Sequence, residues 1–208
     1  MKLSNIAAVF FDFDGVLCTD RFFAVLKPDY PHVQEWISQH VFGGEKWGDK
    51  WMRGELNYRQ INRVISDATG ISNELLDRIL PEGVRRMQVN TTLIQWAETL
   101  KNQGVKVALV TNNMDVFNEI TIPDKKLDKT FPVIVNSCDY GLMKQDENGK
   151  LFDIALQKLG LTTFRDVWLI DDSAGYCDIF KAKGGEAYQY SNLQDFEQWA
   201  EKQFSERK

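Results

Sequence analysis

A parallel α/β sheet, Rossmann-like and flanked by helices, with a helical insert after its first strand, is the fold this sequence predicts. Three observations predict it. Short apolar runs at 7–13, 105–110, 133–136 and 167–170 are bounded by turn residues, as suits strands covered on both faces. Helical periodicities separate the later runs, and strands alternating with helices imply a parallel sheet. Between Leu17 and about Met87 no buried-strand pattern occurs, only helical segments.

Taken in order, Ala7 to Phe13 is the first strand, stopped by Asp14-Gly15. The insert follows, with helices expected over 33–41, 57–68 and 72–80. Asn57 and Gln60 stand at capping-box spacing, and Gly43-Gly44 and Gly70 punctuate the stretch. Leu93, Trp96, Ala97 and Leu100 then mark a helix closed by Gly104, and the strand at 105–110 comes next. After the strand at 133–136, Phe152, Ala155, Leu156 and Leu159 share one face of a helix that ends at Gly160. The strand at 167–170, a helix over 176–182, a short strand at 186–189 and a terminal helix over 193–202 complete the chain. The expected division is a core of residues 1–17 and 88–208 and a helical unit of residues 18–87. No internal repeat is present.

The 208 residues are 43% hydrophobic, enough for a genuine core without disulfides or structural metals. With 25 Lys+Arg against 30 Asp+Glu the net charge is −5, and no dense basic block marks a nucleic-acid surface. Asp124-Lys125-Lys126, the nearest thing to one, reads as a solvated loop. Cys18, Cys138 and Cys177 form no CxxC pair, which suits a reducing cytoplasm. The opening Met1-Lys2-Leu3-Ser4 reaches acidic Asp12 too soon for a signal peptide, and no apolar run approaches a membrane span. The expectation is a cytoplasmic protein with no nucleic-acid, membrane or evident protein partner.

Ligands of open parallel sheets bind at the carboxyl ends of the strands. Here those ends carry Asp12-Phe13-Asp14-Gly15, Thr111-Asn112-Asn113, Gly141-Leu142-Met143-Lys144 and Asp171-Asp172-Ser173. Each piece has a plainer reading. Asp-x-Asp-Gly is a common turn, Thr111 can cap a helix, and a lone lysine is usually solvated. Adjacent Asp171 and Asp172 repel unless a cation or donor relieves them. Together the pieces suit phosphoryl transfer. A carboxylate can form an aspartyl-phosphate, and a second one two residues on can protonate the leaving oxygen and later activate water. Mg²⁺ takes hard oxygens such as Asp12, Asp171 and a backbone carbonyl. Thr111, Asn112 and Lys144 suit the phosphoryl charge.

Phe10-Phe11-Asp12-Phe13-Asp14-Gly15-Val16-Leu17, Leu109-Val110-Thr111-Asn112, Gly141-Leu142-Met143-Lys144 and Trp168-Leu169-Ile170-Asp171-Asp172-Ser173 resemble the four ordered motifs of the haloacid dehalogenase-like hydrolase superfamily. The helical insert is similar to that superfamily's small α-helical cap. Its Gly44 to Leu56 part looks most like the small-cap sugar-phosphate phosphatases, bacterial glucose-1-phosphate phosphatase among them. The resemblance implies Asp12 as nucleophile and Mg²⁺ ligand, and Asp14 as general acid/base with its carbonyl toward the metal. Thr111 and Asn112 would hold phosphate, Lys144 would neutralise it and orient Asp12, Asp171 would bind Mg²⁺, and Asp172 would lie at or beside the metal. Asp14 favours phosphate over halide chemistry, because the dehalogenases of the superfamily lack it. Two departures stand out: Gln145 where relatives often have Pro, with a longer 146–150 stretch, and Tyr176 where they often have Asn.

The implied activity is Mg²⁺-dependent hydrolysis of a small phosphorylated metabolite, with a sugar phosphate as the finer expectation. Arg21, Trp47, Lys50, Trp51 and Arg53 would face the sugar; alternatively, the two indoles are core of the insert. His32 and His40 have no ligand spacing, and Cys18 reads as a packed thiol. A phosphohexomutase is the alternative within the superfamily, but no His follows the first motif before His32. A phosphoacceptor or binding module is the alternative of another class, but receiver domains have no Asp-x-Asp-Gly or helical insert.

Overall fold

The computed structural model describes residues 6–43 and 46–204. Met1 to Ser4 and Gly44, which entered the expectations above, lie outside the described residues. Five parallel strands, β1 (Ala8–Phe11), β2 (Lys106–Thr111), β3 (Val133–Asn136), β4 (Val167–Asp171) and β5 (Glu186–Gln189), form one sheet in the order β3-β2-β1-β4-β5. The chain builds outward from β1 to β3, then crosses back to β4. The switch point therefore falls between β1 and β4, where Phe11 pairs with Ile170.

Between β1 and β2 come α1 (Pro31–His40), α2 (Lys46–Met52), α3 (Tyr58–Thr69), α4 (Asn73–Arg86) and α5 (Thr91–Asn102), preceded by a 3₁₀ turn at Phe22–Leu26. Short turns α6 (Ile122–Lys125) and α7 (Leu127–Thr130) precede β3. The helices α8 (Lys150–Lys158), α9 (Ala174–Ala182) and α10 (Leu193–Phe204) follow in order. Among the described residues no helix is long and apolar enough to cross a membrane.

Period-two alternation sorts the strand side chains into two layers. Val9, Phe11, Val107, Leu109 and Ile170 pack with α5 and α10 through Leu93, Ala97, Leu100 and Phe196. Ala8, Phe10, Ala108, Val110 and Leu169 pack with α8 and α9 through Phe152, Ala155 and Phe180. Both faces are covered, which is why β1 reads as an unbroken apolar run. The insert buries a cluster of its own, including Val33, Ile37, Trp51, Ile61, Leu76 and Leu80. Met114 and Val116, which follow β2, join that cluster.

Local signals behave as the sequence suggests where they are chemical. Asn57 Oδ1 accepts from the Gln60 amide while Gln60 Oε1 accepts from the Asn57 amide, and Gly70 closes α3 with φ 74°. Three expectations shift. α4 does not stop at Leu80 but runs through Pro81 to Arg86, because Gly83 and Val84 are also buried on the insert. α2 had no expected counterpart. The 124–126 run is not a plain solvated loop: α6 ends at Lys125, whose Nζ donates to the Arg85 carbonyl at 2.6 Å.

Candidate functional site

β1 leaves the ladder at Asp12, whose amide still donates to the Ile170 carbonyl of β4 at 2.9 Å. The chain then tightens: the Cys18 amide donates to the Phe13 carbonyl and the Gly15 amide to the Cys18 carbonyl. Gly15 takes φ 81°, and a Cβ there would run into the Asp172 carboxylate. This turn carries Asp14 out of strand alternation. Asp12 is buried at 5% exposure, whereas the Asp14 side chain is half exposed and paired with Arg21.

β4 brings Asp171 beside Asp12. Lys144, wholly buried, places Nζ 2.7 Å from Asp12 Oδ2 and 2.7 Å from Asp171 Oδ2. The remaining carboxylate oxygens are also held, Asp12 Oδ1 by the Phe13 amide at 2.7 Å and Asp171 Oδ1 by the Ser173 amide at 2.9 Å. Burial raises the Asp12 carboxyl to about 7 against the pull of Lys144, and Asp171 pushes the same way. Burial alone would depress the Lys144 ammonium, but Asp12 and Asp171 hold it above the usual lysine value. Asp14 and Asp172 are also raised, each first by burial; Arg21 opposes this at Asp14, while Asp171 adds to it at Asp172.

Oxygens of Asp12, Asp171 and Asp172 lie within 4.8 Å of one another. Three carboxylates share one ammonium in this corner, and the like charge of Asp171 adds to burial in raising both Asp12 and Asp172. Hard oxygen donors in such a cluster fit a small divalent cation such as Mg²⁺.

A second group of side chains braces the lysine. Its amide donates to Asn112 Oδ1 at 2.8 Å, Asn112 Nδ2 donates to Tyr176 Oη at 3.0 Å, and the Tyr176 ring lies 4.5 Å from Lys144 Nζ. Tyr176 stands on α9, which Ser173 caps. Thr111 is fully buried at the end of β2, and its Oγ1 has no hydrogen-bond partner. Asp12, Asp171, Asp172, Lys144, Asn112 and Thr111 thus meet at one end of the sheet, with Asp14 at the rim.

The insert residues divide differently. Arg21 lines a cavity of about 370 Å³ between insert and core, together with Asp14 and Asn112. Trp51 is fully buried in the insert's apolar cluster, and its Nε1 donates to Asp115 Oδ1 at 2.6 Å. Trp47 packs against the same cluster, with Lys50 Nζ 5.9 Å from its ring. Arg53 is engaged with Asp146 and with the Gly141 carbonyl at 3.2 Å, so it clamps the loop that carries Lys144. Sequence reasoning missed Asp115 and Asp146, because nothing local marks an acid whose partner lies on the insert. All three cysteines are free, and burial lifts Cys18 and Cys177 to about 11 and Cys138 to about 12, as suits packed thiols.

Among solved structures, a haloacid dehalogenase family enzyme from Bacteroides thetaiotaomicron, in a magnesium complex, is similar in fold. It has TM-score 0.73 and 16% identity over 94% of this chain and 98% of that one. The same bacterial enzyme has also been solved with magnesium and inorganic phosphate. A protein from Porphyromonas gingivalis described as a predicted haloacid dehalogenase-like family hydrolase gives TM-score 0.72 and 14% identity over 93% and 97% of the two chains. L-2-haloacid dehalogenase from Xanthobacter autotrophicus gives 0.65 and 16% over 94% and 82%. At these identities the likeness is one of fold. No curated protein sequence matches the chain. The haloacid dehalogenase-like hydrolase family matches residues 6–178, a span that includes all four strand-end motifs and the whole insert. With that match over most of its length, and the sheet order and acid cluster described above, the chain belongs to the haloacid dehalogenase-like hydrolases.

Proposed function

We propose that the chain is an Mg²⁺-dependent phosphatase that hydrolyses a small phosphorylated metabolite through an aspartyl-phosphate on Asp12. The observation that carries this reading is the shared ammonium: Lys144 Nζ sits 2.7 Å from both Asp12 and Asp171 at the switch point. A second acid, Asp14, stands two residues on at the cavity. Core residues 1–17 and 88–208 would do the chemistry, and residues 18–87 would act as a small cap that admits the leaving group.

Asp12, Asp171 and Asp172, with the Asp14 carbonyl, would hold Mg²⁺, which when bound neutralises phosphoryl charge. The Asp12 carboxylate attacks phosphorus, and the bond from phosphorus to the ester oxygen breaks. Asp14 delivers its proton to that oxygen as the alcohol leaves. Asp14 then takes a proton from water, whose oxygen attacks the acyl phosphate; inorganic phosphate departs and the Asp12 carboxylate is restored. Lys144 keeps the nucleophile oriented. The Thr111 hydroxyl and Asn112 amide supply hydrogen bonds to phosphoryl oxygens. The unpartnered Thr111 Oγ1 supports that assignment.

The finer sugar-phosphate reading draws little from the insert. Of Arg21, Trp47, Lys50, Trp51 and Arg53, only Arg21 lines the cavity, and it is paired with Asp14. The direct test is Asp12→Asn with p-nitrophenyl phosphate and Mg²⁺. Turnover falls by more than a thousandfold while the melting temperature is retained; activity within tenfold of the parent contradicts the reading.

A further inference from the structure

The cavity is unevenly lined. Asp14 and Asn112 stand at its phosphoryl end, and Phe22, Phe42, Met52 and Met114 form much of the rest. Among the described residues Phe42 is the exposed large apolar side chain, at 44%. It is nonetheless held in place, edge-on to Phe22 at 6.2 Å and stacked toward Trp51 at 6.5 Å. An apolar pocket with a few placed polar groups is the usual form of a small-molecule site.

The polar groups of the wall are mostly engaged. Arg21 pairs with Asp14, and Asn113 Oδ1 accepts from the Met114 amide at 3.0 Å. Gln34 differs. Its Nε2 reaches Ser38 Oγ at 3.4 Å, but its Oε1 is buried with no partner. A carbonyl oxygen in that state is stabilised by any ligand that brings an N–H or O–H to it. A polyhydroxylated body would instead leave several hydroxyls unpaired against phenyl and thioether walls.

We propose that this cavity takes a leaving group built on a flat aromatic ring that bears one hydrogen-bond donor, in preference to a sugar; the proposal rests on the phosphatase reading above. The ring packs on Phe42 and the methionines, and the Gln34 side chain turns its Oε1, buried without a partner, toward the donor. The ester oxygen then lies toward Asp14.

Three esters of primary alcohols test this with the full chain and Mg²⁺: 3-hydroxybenzyl phosphate, benzyl phosphate and glucose 6-phosphate. Expected kcat/KM falls in that order, with at least tenfold between the first and the last. Phe42→Ala lowers the value for 3-hydroxybenzyl phosphate about tenfold and narrows its lead over glucose 6-phosphate. Because Phe42 is exposed, its replacement spares the core. Gln34→Leu removes the advantage of 3-hydroxybenzyl over benzyl phosphate. Glucose 6-phosphate turned over as well as the aromatic esters, or equal losses on all three in Phe42→Ala, would overturn the proposal. If no ester releases phosphate, p-nitrophenyl phosphate included, the phosphatase reading fails by itself. Calorimetry with 3-hydroxybenzyl alcohol and with glucose then reads the cavity alone. Binding of the aromatic alcohol that Phe42→Ala weakens sustains the proposal, and no such binding ends it.

Discussion

Tyr176 does at residue scale what a single sequence motif does not state. Its ring faces the Lys144 ammonium at 4.5 Å, and its hydroxyl accepts from Asn112, which in turn accepts from the Lys144 amide. The three side chains come from β2's exit, the 141–149 loop and α9, so one phenol keeps lysine and asparagine in register. Tyr176→Phe keeps the ring and loses the hydroxyl. Its kcat is expected to fall about fivefold, from one neutral hydrogen bond of about 1 kcal/mol. Tyr176→Leu loses the ring as well and falls at least a further fivefold, as a desolvated cation–π contact implies. KM and melting temperature measured alongside separate positioning from stability. A loss in Tyr176→Phe as large as in Tyr176→Leu would mean that the ring contact does nothing. The family resemblance draws attention to Tyr176, but not to what it touches.

Between elements, the connection that matters most is Arg53 with Asp146. Arg53 follows α2 on the insert, whereas Asp146 opens the turn after Lys144 and also accepts from the Met143 amide at 2.9 Å. The guanidinium keeps the Asp146 carboxyl below its usual range. The stretch from 146 to 150 makes this contact through Asp146, and Glu147, Asn148 and Gly149 take positive φ and turn the chain back toward α8. Arg53→Ala is expected to cost about 1–2 kcal/mol of stability, since the pair is bidentate but partly exposed. It should depress turnover of aromatic and sugar esters by the same factor, because it moves the lysine loop rather than a substrate contact. A change confined to one ester class would instead make Arg53 a reader of substrate.

Across the whole molecule, what was legible in the sequence follows from how locally it is encoded. Buried parallel strands need apolar runs, so β1, β2, β3 and β4 were readable, as were the acids and turns at their ends. The capping box of α3 and the αL closure at Gly70 are chemical signals within a few residues. The fate of the insert's polar and aromatic residues was not readable. Whether Trp51 faces substrate or core depends on Asp115, 64 residues away. α4's passage through Pro81 depends on packing that local propensity does not contain. At this scale the acid cluster at the switch point predicts linkage between metal and stability. Chelation should abolish phosphate release and Mg²⁺ should restore it. Saturating Mg²⁺ should raise the melting temperature, by about 2.7 kcal/mol of stabilisation at a hundred times its dissociation constant. Activity and melting indifferent to chelator would remove magnesium from the account.

The central claim is the covalent intermediate on Asp12, and trapping it is the most direct test. Asp14→Asn lacks the group proposed to activate water, yet p-nitrophenolate leaves without much help from an acid, so the acyl phosphate should accumulate. Borohydride added during turnover reduces an aspartyl-phosphate to homoserine, which peptide mass spectrometry locates. The expected result is homoserine at position 12, present with p-nitrophenyl phosphate and Mg²⁺ and absent without them. Phosphate release continuing in the wild-type chain while Asp12 stays unmodified in every trapped sample would contradict it.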